Sequence, residues 1–163
     1  MRWRKNSIDG TFGDKTVLLT TGVVDRPRKA ALLFHGVHSS SGSDPGNKYA
    51  RIGTALAENG VMPILCETSR RVRNRHDYVD RPIEWIFDAF RGKTYLQELE
   101  DCYRAYVAVK ELYRRVPLTL WGFSLRCSGG RYRPQSRRRN GYRRPCCRRH
   151  YGDRTYRVYR AWL

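Results

Sequence analysis

With 163 residues the chain has room for one domain with a real apolar core. No apolar run approaches the ~20 residues of a membrane span, and the basic start "MRWRKNSIDG" is not followed by the apolar stretch of a secretory signal, so the expectation is a cytoplasmic protein away from membranes. The net charge of +18 alone would suggest nucleic acid or another polyanion as partner, yet residues 126–163 supply +12 of it.

The first predicted element is "KTVLLTTGVV" (Lys15–Val24), a strand rich in Val, Leu and Thr that stops at the proline turn "DRPRK". "AALLFHG" (Ala30–Gly36) follows, a short continuous apolar run of the kind a strand buried on both faces requires. A loop, "VHSSSGSDPGN", leads into helical spacing at Tyr49, Ile52 and Leu56, with Gly60 where a helix C-cap belongs. "VMPILCE" (Val61–Glu67) is a third strand, and strand–helix–strand alternation favours a doubly wound sheet.

"SRRVRNRHDYVDR" (Ser69–Arg81) reads as a basic loop, after which Pro82 opens a short amphipathic helix with Ile83, Ile86, Phe87 and Phe90 on its apolar face. Thr94 and Gln97 form the capping box of a long helix that ends before Pro117. Its predicted buried stripe is Leu99, Cys102, Tyr106, Val109 and Tyr113. "LTLWGFS" (Leu118–Ser124) is the fourth strand, giving an order of β, β, α, β, α, β.

Beyond Leu125 the pattern stops. All 13 basic residues from Arg126 onward are arginine, and Leu, Ile, Val, Met and Phe together contribute only Val158 and Leu163. A segment so poor in buriable side chains is expected to be disordered. Of the five cysteines (Cys66, Cys102, Cys127, Cys146, Cys147) no pair suggests a disulfide framework. Cys146, Cys147 and His150 are too crowded for a tetrahedral zinc site and lack a fourth ligand. No metal or organic cofactor is expected.

The fourth strand delivers "GFSL", most of a nucleophile elbow, G-x-S-x-G, in which glycines relieve crowding around a serine on a tight strand-to-helix turn. Gly122 and Ser124 fit; Arg126 stands in the second glycine's place. On that triplet alone, Ser124 as a simple helix cap is the better reading. With "LLFHG" and its Ser/Gly loop, the helix and strand "ARIGTALAENGVMPILCE" and the long helix, however, residues 15–125 resemble the α/β-hydrolase family.

The resemblance implies a mostly parallel sheet with flanking helices over 1–125, the N-terminal half of such a domain. It makes Ser124 the nucleophile and the His35-Gly36 corner part of an oxyanion hole, with the backbone N–H groups of Val37 and Leu125 as donors. Such donors are typically worth ~10²–10³ in rate each. The substrate would be a small ester, thioester or amide. The family also needs an acid and then a histidine after the serine. Only Asp153 follows Ser124 as an acid, and His150 precedes it. The chain is therefore expected to be inactive, since serine without a base is a poor nucleophile.

The rival reading is a non-enzymatic protein whose arginine tail binds RNA or other polyanions non-specifically through phosphates and stacking. A third expectation concerns residues 126–163 themselves: a frameshifted stretch following a truncated hydrolase. If Arg126 and Cys127 are written CGN TGY, reading one nucleotide forward gives GNT, which includes glycine and restores "GFSLG". The same shift turns CGN arginines into Ala, Val, Gly, Asp or Glu, and explains the lack of lysine.

Overall fold

The computed structural model describes residues 1–36, 40–74 and 76–123, together with the strand residues 150–151, 154–155 and 158–160. The expected tail, Arg126 to Leu163, otherwise lies outside the described residues. The elements in chain order are β1 (Trp3–Asp9), β2 (Thr16–Gly22), β3 (Lys29–Phe34), α1 (Lys48–Glu58), β4 (Val61–Glu67), a 3-10 turn (His76–Tyr78), α2 (Pro82–Phe90), α3 (Tyr95–Leu112) and β5 (Leu118–Gly122). Three short strands follow: β6 (His150–Tyr151), β7 (Arg154–Thr155) and β8 (Val158–Arg160).

The main sheet runs β1-β2-β4-β3-β5-β8, while β6 and β7 pair separately. It is antiparallel at its β1 and β2 end and parallel from β4 across β3 and β5 to β8. Helices flank both faces, as expected. Period-two alternation along β3 explains why both faces are apolar. Leu32 and Phe34 join Val17, Leu19, Ile64 and Cys66 under Ala105 and Val109 of α3. Ala31 and Leu33 face the other way, with Leu65, Phe123 and Tyr49 of α1.

The element starts follow local chemistry. Asn47 caps α1 by accepting the Tyr49 N–H, and Gly60 just past the helix takes φ +70°, where a side chain would be strained. The Thr94–Gln97 capping box of α3 is present in both directions.

Three sequence expectations need correction. β1 was not anticipated, because its residues are mostly exposed and polar; it is an edge strand held by seven backbone pairs to β2. On α2 the inward residues are Trp85 and Ala89, while Ile83 and Phe87, predicted as core-facing, are 69% and 55% exposed. The cause is Arg70, whose buried guanidinium lies over the Trp85 and Phe90 rings and turns the helix toward it. On α3 the fully inward positions are Asp101, Ala105 and Val109; Leu99 is largely exposed, and Cys102 and Tyr106 are half-buried. Here a buried ion pair, described below, draws Asp101 inward and rotates the apolar stripe toward a groove of about 240 Å³. Phe34, Leu99, Cys102, Tyr106 and Leu120 line it.

Candidate active site

The site forms where β3 and β5 end side by side. Their parallel register places Phe34 opposite Gly122, and the Phe123 N–H donates to the Phe34 carbonyl at 3.3 Å. The corner after β3, His35-Gly36, and the chain leaving β5 therefore emerge together at the carboxyl ends of adjacent central strands. That is where ligands bind in open parallel sheets.

Tyr49, the second residue of α1, joins the two chain exits. Its hydroxyl accepts the Gly36 N–H at 2.9 Å, and its ring meets Phe123 edge-on at 5.2 Å. Asn47 donates through Nδ2 to the Ser40 carbonyl at 3.0 Å, so the N-terminus of α1 also holds the far side of the loop. Ser41 N–H donates to Glu67 Oε2 at 3.0 Å. His35 is buried, with Nδ1 2.9 Å from the Gly36 carbonyl and Nε2 3.3 Å from Arg70 Nη2.

Of the residues the sequence singles out, the structure brings His35, Gly36 and Gly122 together at this corner. Val37, Ser124 and Leu125 lie outside the described residues, as does Arg126. Sequence reasoning missed Glu67, Arg70 and Tyr49. Arg70 sat in a stretch read as a basic loop; the usable signal was its place directly after a buried strand, where an arginine cannot easily reach solvent.

A second polar cluster supports the same end of the sheet from below α3. Asp101 is fully buried and accepts from Lys93 Nζ at 2.6 Å, Ser69 Oγ at 2.5 Å, Ser69 N at 3.0 Å, Thr11 N at 2.8 Å and Thr11 Oγ1 at 2.9 Å. Lys93 also pairs with Glu98 at 2.7 Å. Burial pushes the Asp101 carboxyl up, but the Lys93 ammonium and the Ser69 and Thr11 hydroxyls outweigh it and hold the group below its ordinary value. Asp14 is likewise lowered: burial opposes, while the Arg73 guanidinium beside it prevails. Burial pushes the Cys102 thiol up, so it is not an activated nucleophile. Among the described residues no group of three or more His, Cys, Asp or Glu is placed to hold a metal ion, and no helix is long and apolar enough to cross a membrane.

No protein-family model and no curated protein matches the sequence. Solved structures do. A thermostable carboxyl esterase from Bacillus coagulans aligns over 77% of this chain with a TM-score of 0.54 at 17% identity. A lipase in its open form aligns over 76% with 0.56 at 14% identity. A serine hydrolase without lid from Xanthomonas campestris aligns over 75% with 0.51 at 18% identity. The fold is that of the α/β-hydrolases. The chain spans 37%, 36% and 50% of these three proteins' own lengths. The mostly parallel sheet with flanking helices agrees with the fold that the resemblance implied.

Proposed function

We propose that residues 1–125 are the N-terminal half of an α/β-hydrolase-type serine hydrolase acting on esters, thioesters or amides. Ser124 is its nucleophile, and the backbone N–H groups of Val37 and Leu125 are the oxyanion donors. The observation that carries this reading is the Phe34–Gly122 register, which sets the His35-Gly36 corner beside the chain leading into Ser124. The esterase and lipase neighbours fit a small ester as substrate. No step requires a cofactor: the serine attacks the carbonyl carbon, and donors held in advance stabilise the charge that develops on the oxygen.

Within these 163 residues no acid followed by a histidine comes after Ser124, so we propose that this polypeptide by itself turns over little or no ester. Residues 126–163 are then a separate segment, read out of frame from the coding sequence of the same hydrolase. The free thiols Cys66 and Cys102 fit a reducing, cytoplasmic setting.

Turnover of p-nitrophenyl acetate is the test. This chain should stay near the uncatalysed rate, and the chain continued in the one-forward frame after codon 125 should gain activity that Ser124→Ala abolishes. Robust Ser124-dependent turnover by this chain refutes the inactivity. An early stop in the shifted frame, or one lacking a later acid and histidine, refutes the frameshift. The competing reading, polyanion binding through the +12 segment, rests on charge alone and requires steep salt dependence whatever residue occupies position 124.

A further inference from the structure

Two side chains at and just beyond the end of β4 reach both described ends of the corner after β3. The Arg70 side chain is fully buried, its Nε is 3.3 Å from Glu67 Oε1, and its guanidinium lies 4.7 Å from the centre of the Phe90 ring. From there Nη2 reaches His35 Nε2, while the other Glu67 oxygen takes the Ser41 N–H. One ion pair thus touches the corner at His35 on one side and at Ser41 on the other.

We infer that Glu67 and Arg70 form a clamp that presets this corner, and that Arg70 fixes His35 as its Nδ1–H tautomer. The Gly36 carbonyl can only accept, so it favours a proton on the Nδ1 that faces it without compelling one. A guanidinium can only donate, so Nε2 must offer its lone pair to Arg70. The Nε2–H form would set two donors against each other. The charged groups around the pair include Arg73, whose Nη1 also reaches Glu67, Asp14, whose Oδ1 accepts the Arg70 backbone N–H at 3.3 Å, and Lys93, 5.8 Å from the Phe90 ring centre; α2 contributes the aromatic rings of Trp85 and Phe90. Glu67 and Arg70 are positioning residues, acting through His35 and the backbone at Gly36 and Ser41. Such presetting matters for a hydrolase because oxyanion donors help most when they need no rearrangement as charge develops. Only that use of the corner rests on the proposed function; the clamp does not.

Long-range proton–nitrogen correlation on the full chain labelled with nitrogen-15 histidine, at neutral pH, reads the tautomer directly. The expected result is a protonated Nδ1 and a bare Nε2 at His35. Arg70→Met should mix the tautomers, and Arg70→Lys, whose ammonium also only donates, should restore the Nδ1–H form. In parallel, hydrogen exchange read by mass spectrometry should show the peptide spanning 35–41 exchanging about ten- to a hundredfold faster in Glu67→Gln, with β2 peptides unchanged. An Nε2–H form in the wild type, an unchanged tautomer in Arg70→Met, or exchange in Glu67→Gln that is unaltered or raised equally across the sheet would overturn the clamp. Failure of Ser124-dependent hydrolysis moves none of these readouts, so the two ideas fall separately.

Discussion

Asp101→Asn removes one negative charge from a site that is fully buried and leaves the shape nearly unchanged. The carboxylate takes five donors from three directions: Thr11 after β1, Ser69 after β4 and Lys93 before α3. The amide keeps one oxygen but turns an NH₂ toward donors it cannot satisfy. Breaking a buried ion pair by removing one partner costs about 3–5 kcal/mol. Lys93 retains Glu98 at 2.7 Å, so the lower end applies, about 3 kcal/mol. That is a large share of a domain stability of about 5–15 kcal/mol. In urea unfolding followed by tryptophan fluorescence, the midpoint should fall by about 1–3 M at unchanged slope. Acidification supplies a second arm. Because the folded carboxyl lies below its ordinary value, its contribution is complete above about pH 4 and drains away as pH falls through the lowered value. The gap between wild type and Asp101→Asn should therefore narrow below about pH 4. A loss under about 1 kcal/mol at neutral pH, or a gap that ignores acidification, refutes the assignment of Asp101 as the ionised centre of this cluster.

Two further predictions test other parts of the structure. Gly13 and Gly60 both take positive φ, but an added Cβ at Gly13 runs into the Arg70 carbonyl, whereas at Gly60 it meets nothing closer than 3.9 Å. Gly60→Ala should cost about 1 kcal/mol and Gly13→Ala clearly more in the same urea assay; equal costs would show that the loop after β4 yields. Trypsin should cut within residues 126–163, which hold 13 arginines, before residues 30–66, which contain most of the buried strands β3 and β4. Timed digestion with mass spectrometry checks this, and protection of 126–163 in buffer free of nucleic acid would favour a folded polyanion-binding segment.

The strands of the central sheet were legible because burial on both faces leaves an unmistakable apolar run: "VMPILCE" is β4 to the residue, and β3 and β5 differ from their predicted spans only at the ends. β1 was not, since an edge strand gains its place from backbone pairing, which polar side chains do not reveal. The helix faces failed for one reason. Arg70 and Asp101 are buried charges, and periodicity reasoning assigns charged residues outward by rule. Those same two residues hold the loops around the candidate site. His35, Gly36 and Gly122 stand in the "LLFHG" and "GFSL" motifs at the ends of predicted strands, and the register brings those strand ends to one corner; Glu67 and Tyr49 were not singled out, because the hydrogen bonds they make span 26 and 13 residues.

The register of β3 has a consequence for how the chain is made. Five of the six β3 residues are buried, yet its β5 neighbour arrives roughly 90 residues later. At a synthesis rate of about 5–20 residues per second, one edge of β3 waits about 4–18 s for that partner. A polypeptide leaving the ribosome must therefore carry β3 with one edge open, its other edge already paired to β4, while roughly 90 further residues are made. Nascent β3 is the segment from which we expect chaperone capture or clumping to begin, and slower synthesis upstream of β5 would lengthen that exposure.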